Sequence, residues 1–355
     1  MSQSVANHRV KLLIFDLTIY EAYRKGEGGI NVSRNNILND GLVYASYKVI
    51  KEFENVNLKP PSGLYFNKAL SFLNSELRRE GIDIAVPHCW YRWGDEVVRY
   101  YMPVELQWTH KEDAYTIVEW NGNMPANPED HIKMRIDSIV KELMEDYGKT
   151  GRIQDFVDII YEGAPFEFQR KYKGVRDLFY SLQNSRAMDQ REKQKLLLQS
   201  LKDAMEFLPS DKIFKDVVEF APKYLRLMEY CLNYRQIDLV KLNKISEEFW
   251  FWFCYYLRTH PKAHENIDSD TITYWKGELD YQKSNFTGYF RDHALEFSRL
   301  IPEIAIDNEI GFYVREAIRE DNEFEVVFSE FVSAVKGLDE FLAENKKRYK
   351  FGEAN

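Results

Sequence analysis

The sequence feature that most constrains the fold is a series of helical patterns covering the C-terminal two-thirds of the chain. Asn127, Pro128 and Glu129 are typical of an N-cap and the first two helical positions, and they predict a helix to about Tyr147. Periodicity and breaks predict further helices near 152-162, 166-184, 189-207, 212-233, 236-258, 269-300 and 311-346. No motif recurs at a fixed interval, so no solenoid is expected. Residues 125-355 are therefore predicted to form an all-helical domain.

Residues 1-124 have a different pattern, which predicts three helices followed by a small antiparallel sheet. The first helix covers "HRVKLLIFDLTIYEAYRKG", and the second runs from an N-cap at Ser33 to about Phe53. The third, "LYFNKALSFLNSELRRE", ends at Gly81. This order is typical of a winged helix, so the predicted fold is mainly α, with an N-terminal winged-helix-like module and a following helical domain.

The stretch "HCWYRWGDEVVRYY", residues 88-101, predicts a β-hairpin because Gly-Asp separates two runs of aromatic and β-branched residues. With Gly94 and Asp95 as the turn, Arg92 is expected opposite Val97, and Trp90 opposite Arg99. The other face would pack against the helices; it consists of Tyr91, Trp93, Val98 and Tyr100. The run "AYTIVEW" is expected to add a further strand.

Length and composition indicate a folded protein of about two domains. The chain has 355 residues, of which 45% are hydrophobic and 15% aromatic, too many for a disordered chain. The net charge of -9 is uneven, because residues 1-110 carry 13 Lys and Arg against 12 Asp and Glu. The acidity belongs to the remainder, which argues against a protein that coats nucleic acid over its whole surface.

Cysteine usage and hydropathy predict a cytoplasmic protein. Cys89, Cys231 and Cys254 are too few and too scattered for a disulfide framework, as expected in a reducing compartment. The longest nearly uninterrupted apolar run, Phe249 to Leu257, is far shorter than the roughly 20 residues that cross a bilayer. We therefore expect no membrane partner.

No catalytic motif is complete, so neither catalytic residues nor a cofactor are predicted. "LLIFDLT" resembles the first motif of haloacid-dehalogenase-type phosphatases, but Thr18 stands where a second aspartate is required. "LMEDYGKT" ends like a phosphate-binding loop, but Leu143 replaces the first glycine. Cys254, His260 and His264 have residue types that bind zinc, yet they are only three, and Pro261 disrupts helical spacing; we expect no metal.

The aromatic cluster at residues 249-256 predicts a helix that is apolar on all sides. Such a helix is usually buried in the centre of a core. The alternative is a pocket or a partner-binding surface, for which the candidate residues are Trp90, Trp250, Trp252 and Trp275.

DNA binding is the most specific functional hypothesis that the N-terminal part suggests. In a winged helix, the third helix would present its polar face to a groove while the hairpin met phosphates. The candidate contacts are Lys68, Ser71, Ser75, Arg78 and Arg79 on the helix, with Arg92 and Arg99 on the hairpin. Against DNA binding, the net charge of this region is close to zero.

The same segment, "FNKALSFLNSELRREGIDIAVPHCWYRWGDEVV", resembles the helix-to-strand core of the Panacea (SocA-like) antitoxin family. In that family a K-x-x-K-L-L-Y-F-type helix ends at glycine and leads to a [WY]-x-[YW]-G-P-x-[VS] segment. The matching positions are Lys68, Leu70, Phe72, Gly81, Trp90, Tyr91, Trp93, Gly94 and Val97. Asp95 replaces the proline of the family, and this proline would forbid the hairpin. The resemblance covers about residues 66-98 and implies a helical regulatory module acting through protein contacts, frequently in toxin-antitoxin or phage-defence settings, without catalytic residues.

Together these patterns predict a non-enzymatic regulatory or defence-associated protein that binds a protein partner or forms a homo-oligomer. A winged-helix DNA-binding regulator is the first alternative. An enzyme with an unrecognised pocket in the helical domain is the second.

Overall fold

A computed structural model describes residues 39-111, 116-149, 153-185 and 188-322. The fold is mainly α-helical, as predicted, and contains two small antiparallel sheets where one was expected. The first helix expected in the N-terminal module lies outside the described residues. The next, α1, spans Asp40–Asn57 and begins where the Asn39 side chain accepts a hydrogen bond from the Gly41 N–H; the predicted N-cap, Ser33, lies outside the described residues.

Helix α2 spans Gly63–Arg79 and leads into the sheets. Ser62 caps its first turn by accepting from the Tyr65 N–H. Strands β1, His88–Tyr91, and β2, Gly94–Val97, form the hairpin, and a 3-10 turn follows at Arg99–Tyr101. Strands β3, Leu106–His110, and β4, Thr116–Trp120, form a separate two-stranded sheet instead of joining the hairpin.

The register predicted for the hairpin is wrong. Tyr91 pairs with Gly94 and His88 with Val97, so Arg92 and Trp93 form the turn. Gly94 has a φ of 94°, the left-handed region in which a residue with a side chain is strained, and it therefore takes the position after the turn. This shift moves Asp95 from the exposed turn into a buried strand.

The C-terminal part follows the predicted order of helices. Its helices are α3 Asp130–Tyr147, α4 Ile153–Glu162, α5 Glu167–Asn184, α6 Gln190–Met205, α7 Lys215–Asn233, α8 Leu239–Leu257, α9 Ser269–Gly277, α10 Leu279–Ser298, α11 Glu303–Ile306 and α12 at 311-322. A 3-10 turn, Lys212–Phe214, precedes α7. The single helix predicted at 269-300 is divided at Glu278, and the end of the helix predicted at 311-346 lies outside the described residues.

The buried core is continuous across the predicted boundary at residue 124. Its members extend from Leu42 to Val314, and α8 lies at the centre, with Trp250 and Phe253 fully buried. The prediction that the aromatic cluster at 249-256 belongs to a core helix is therefore confirmed. The short strand β5, His264–Glu265, also crosses the boundary by pairing with β1. The division into two domains remains a prediction.

The tight packing around Gly94 generates a stability prediction. An alanine Cβ at this position would lie 2.9 Å from a Tyr161 ring carbon and 3.1 Å from Lys68 Nζ, and the left-handed backbone would be strained as well. We expect Gly94→Ala to lower the free energy of unfolding by at least about 2 kcal/mol, measured by urea denaturation.

Two other glycines provide matched controls for this measurement. Gly81 also has a positive φ of 78° but open space around it, so Gly81→Ala should cost only the backbone strain, about 1 kcal/mol. Gly174 lies within α5 with no atom near its Cβ, and Gly174→Ala should stabilise the protein by up to about 1 kcal/mol. If Gly94→Ala and Gly81→Ala lowered the free energy of unfolding equally, the close packing of Tyr161 and Lys68 around Gly94 would be contradicted.

Candidate binding site

A cleft of about 860 Å³ opens between α2, the hairpin, the C-terminal end of α4 and strand β5. Its polar lining comes mostly from α2, β1, β2 and β5, with Glu162 and Lys262 in addition, and its apolar lining includes Phe72, Trp90 and Ile160. The cleft exists because the hairpin lies over the polar face of α2, where sequence periodicity alone predicts solvent.

The deepest contact between α2 and the hairpin involves a buried lysine. Lys68 is fully buried, and its Nζ donates a hydrogen bond to the Asp95 carbonyl oxygen at 2.7 Å. Burial lowers the pKa of Lys68, although the negative charges of Glu96 and Asp95 act to raise it. This amine anchors the hairpin and does not reach the surface.

The Asp95 carboxylate is the centre of a hydrogen-bonded network beside this lysine. Ser71 Oγ donates to Asp95 Oδ2, and His88 Nδ1 lies 2.7 Å from Asp95 Oδ1. On the other side of the ring, His88 Nε2 lies 3.3 Å from Glu265 Oε2. The network therefore joins α2, the hairpin and β5, which are distant in sequence.

The two carboxylates keep His88 protonated at neutral pH. Burial by itself would lower the pKa of His88, but the charges and hydrogen bonds of Asp95 and Glu265 raise it to about 10. The pKa of Asp95 is lowered in turn: burial opposes this shift, and the charge and hydrogen bond of His88 outweigh burial. The hydrogen bond from His88 likewise lowers the pKa of Glu265. At pH 7 both ring nitrogens of His88 therefore donate.

The arginines at the cleft are paired with carboxylates. Arg78 forms ion pairs with Glu265 and with Asp83, and Arg79 pairs with Glu76 one turn earlier on α2. The cleft consequently carries charges of both signs that already neutralise one another, unlike a basic surface built to bind phosphates.

Two buried polar atoms of residues that line the cleft have no hydrogen-bond partner among the described residues. They are Asn74 Oδ1, whose side chain is nine-tenths buried or more, and Arg78 Nε. Both residues line the cleft from α2, one helical turn apart. An unsatisfied buried polar group costs about 1-3 kcal/mol, and because both atoms are covered by the surrounding protein, they lower the stability of this wall and are not open to a ligand.

The structure brings together only some of the residues predicted to contact DNA. Ser71, Ser75, Arg78 and Arg79 line the cleft, whereas Lys68 is buried beneath the hairpin. Ser71 is also buried, with its hydroxyl bound to Asp95. The expectation that the polar face of this helix is open to a groove is therefore wrong at Lys68 and Ser71.

The two hairpin arginines lie apart from the cleft. The guanidinium of Arg92 packs over the rings of Phe251 and Tyr255, at 4.9 and 5.1 Å from their centroids, and it donates to the Tyr255 hydroxyl. Arg99 stacks over Trp108 at 4.3 Å. The face predicted to combine Trp90, Arg92 and Arg99 is not formed, because the strand register is shifted and β2 ends at Val97.

The weak metal candidates do not form a site in the described part of the chain, where no three His, Cys, Asp or Glu side chains are grouped to hold an ion. Cys254 is buried on α8, and burial raises the pKa of its thiol well above the usual value. His260 Nδ1 accepts from the Lys262 N–H, and its ring stacks on Phe214.

Four tryptophans were named above as candidates for a pocket or a partner-binding surface. Three of them, Trp250, Trp252 and Trp275, are packed among aromatic and cationic side chains. Trp250 stacks on Tyr172 and donates from Nε1 to the Arg92 carbonyl oxygen at 2.8 Å. Trp252 stacks on Phe286, and Arg258 lies over Trp275. Only the fourth candidate, Trp90, lines the cleft.

Sequence reasoning missed the residues that organise the site. The sequence pattern assigns Asp95 to the turn and His88 only to the start of the predicted hairpin. Glu265 and Asn74 received no role. A histidine and an aspartate on paired strands are too common to indicate a functional site. The contact of His88 with Glu265 joins residues 177 positions apart, so no local sequence pattern predicts it.

Comparison of the chain with known protein families, with characterised proteins and with solved structures found no significant match. None of the helices in the described part of the chain is long and apolar enough to span a membrane.

The raised pKa of His88 predicts a pH-dependent contribution to stability. A group whose pKa is raised on folding stabilises the folded state fully below its unfolded pKa, near 6.5, and loses this contribution as pH rises through the folded value, about 10. The stability difference between the wild type and His88→Gln should therefore shrink by a few kcal/mol between pH 6.5 and 10. Urea denaturation across this range measures it.

The matched control for this experiment is His131→Gln, which removes a solvent-exposed imidazole from α3. The free energy of unfolding of this variant should stay close to that of the wild type over the same pH range. A difference for His88→Gln that does not vary with pH would rule out a histidine held protonated by Asp95 and Glu265.

Proposed function

We propose that this is a non-enzymatic regulatory protein that acts by binding a protein partner in the cleft between α2 and the hairpin. The observation that carries this proposal is the cleft wall itself. It combines apolar side chains with arginines and carboxylates that are paired to one another, on elements fixed by buried hydrogen bonds. Such a preorganised surface of mixed character suits recognition.

The reactive groups near the cleft are engaged in ways that favour binding over catalysis. The Ser71 hydroxyl donates to the Asp95 carboxylate, which is a poor general base because His88 lowers its pKa, and His88 is itself held as an imidazolium at neutral pH. Burial raises the pKa of the Cys89 thiol, which opposes formation of a nucleophilic thiolate.

The resemblance to Panacea-type domains agrees with this proposal. Of the positions that carry it, Lys68, Phe72, Trp90 and Gly94 lie at or directly beneath the cleft. That family would supply a role through protein contacts, so the same residues favour the same class of function. The defence setting remains an expectation from the resemblance.

Partner binding is tested by filling the cleft. Ser75 is an exposed cleft residue on α2, and a tryptophan there would obstruct the opening while leaving the buried network intact. We expect Ser75→Trp to recover at least tenfold less of the specific partner than the wild type, in quantitative affinity purification from the native host followed by binding measurements with the purified partner.

The control is Ser181→Trp, which places the same side chain at an exposed serine on α5, outside the cleft lining. This variant should retain the partner. The proposal fails if the wild type returns no partner, or if Ser75→Trp and Ser181→Trp recover it equally.

The DNA-binding alternative has a distinct outcome. Because Arg78 and Arg79 are paired with carboxylates, we expect no binding of random duplex DNA at micromolar protein in low salt, measured by fluorescence anisotropy. Binding that weakens steeply with salt and is lost in Arg78→Ala with Arg79→Ala would favour the DNA-binding regulator instead.

A further inference from the structure

We propose that His260 is a pH-sensitive restraint on strand β5: protonation of its ring releases β5 from β1 and opens one wall of the cleft. The release is a property of this chain alone, whereas its consequence for partner binding rests on the proposed function. Three features support it: the hydrogen bond that the ring accepts, the surroundings of the ring, and the few bonds that hold β5.

The His260 ring stabilises a tight turn through a hydrogen bond that only a neutral imidazole accepts. In this turn, which has Pro261 at its second position, the Ala263 N–H donates to the His260 carbonyl oxygen at 2.8 Å. The Lys262 N–H donates to His260 Nδ1 at 3.1 Å. Nδ1 therefore carries a lone pair, and the proton of the neutral ring is on Nε2. A proton on Nδ1 would remove the acceptor and set two N–H groups against each other.

The surroundings of the ring disfavour its charged form. The His260 side chain is only 7% exposed, and its ring contacts those of Phe166 and Phe214, at 4.9 and 5.7 Å between centroids. Asp211 Oδ2 lies 3.7 Å from Nε2 and favours protonation, whereas the charge of Lys262 opposes it. Burial has the largest effect, so the pKa of His260 is lowered. The turn therefore holds a histidine that gains a proton more readily when it leaves this site.

The turn leads directly into the contact between β5 and β1. The Trp90 N–H of β1 donates to the Ala263 carbonyl oxygen at 2.7 Å, and β5 pairs with β1 through only two residues. After β5, the Asn266 side chain donates to the Val86 carbonyl oxygen at 3.0 Å. A segment held by so few hydrogen bonds opens locally at a small cost in free energy. Loss of the turn at His260 would therefore bear directly on the position of β5.

The charged groups at β5 act in both directions. The ion pairs of Glu265 with Arg78 and His88 oppose release, and the pKa of Glu265 is lowered, so the carboxylate stays ionised in mild acid. The pKa of His264 is lowered by burial and by the charges of Lys276, His260 and His88. A proton on His264 would therefore add to the effect of one on His260. Release would remove His264 and Glu265 from the lining of the cleft.

The direction of the pH effect follows from linkage between protonation and release. A histidine whose pKa is lower in the closed form stabilises that form at pH values above its open-form pKa, about 6.5. This contribution is lost as pH falls from there through the closed-form pKa. One such proton raises the equilibrium constant for release by up to about tenfold between pH 7 and pH 5.5.

The test is native-state hydrogen exchange of the full-length protein, followed by NMR between pH 7 and pH 5.5. We expect the protection factor of the Trp90 amide, corrected for the intrinsic exchange rate, to fall at least about fivefold, because this amide donates to the turn. The control is the Val98 amide, which donates to the Pro87 carbonyl oxygen within the hairpin and should change much less. An equal fall at both amides, or no fall at Trp90, would overturn the inference.

The variant His260→Asn separates protonation from the loss of the turn. An asparagine Oδ1 takes the place of Nδ1 and accepts from the Lys262 N–H, but it does not titrate. We expect the pH-dependent fall at the Trp90 amide to be at least about threefold smaller in this variant than in the wild type. A fall as steep as in the wild type contradicts the role of His260.

A second measurement uses the wild type, so the test does not depend on the folding of His260→Asn. The ¹⁵N shifts of the His260 ring should show the Nε2–H tautomer at pH 7 and a titration below pH 6.5 that accompanies the loss of Trp90 protection. A ring protonated on Nδ1 at pH 7, or one that titrates without loss of protection, rejects the restraint. No partner enters these measurements, so retention of the partner by Ser75→Trp would reject the proposed function and leave the acid-induced release of β5 standing.

Discussion

The Asp95 carboxylate is the group on which the arrangement around the cleft depends. It is buried, and a buried charge is tolerated only when it is paired and hydrogen-bonded. Its oxygens bind Ser71 and protonated His88, and the backbone carbonyl oxygen of Asp95 accepts from Lys68. These three partners come from α2 and β1, so the requirement to satisfy the polar groups of this one residue fixes the position of the hairpin on the helix.

This placement changes what the amphipathic helix α2 does. A helix with one apolar and one polar face normally presents the polar face to water. Here the apolar face, including Phe66 and Leu70, packs into the core, while the polar residues nearest the hairpin are buried as well. The geometry differs from a winged helix with an open recognition helix, because the hairpin covers the helix instead of standing beside it.

Sequence periodicity predicted most of the helices and the burial of α8, because both depend on local spacing of apolar residues. It also assigned the apolar face of α2 correctly. It missed the burial of Lys68 and Ser71, because their partner Asp95 lies on the hairpin, whose register depends on the left-handed conformation of Gly94. Local patterns cannot predict the role of Glu265, because it contacts His88 only through the pairing of β5 with β1 in the folded protein.

The network also bears on how the cleft would discriminate among ligands. Because the carboxylates of Asp95 and Glu265 balance the charges of Arg78 and His88, long-range attraction contributes little to binding, in contrast to a basic groove that collects phosphates. Selectivity must then come from short-range terms: hydrogen bonds to exposed polar groups of the lining such as Ser75, and the fit of an apolar group against Trp90 and Phe72. A rigid wall favours such terms, since little conformational entropy is lost on binding, and the buried network supplies this rigidity.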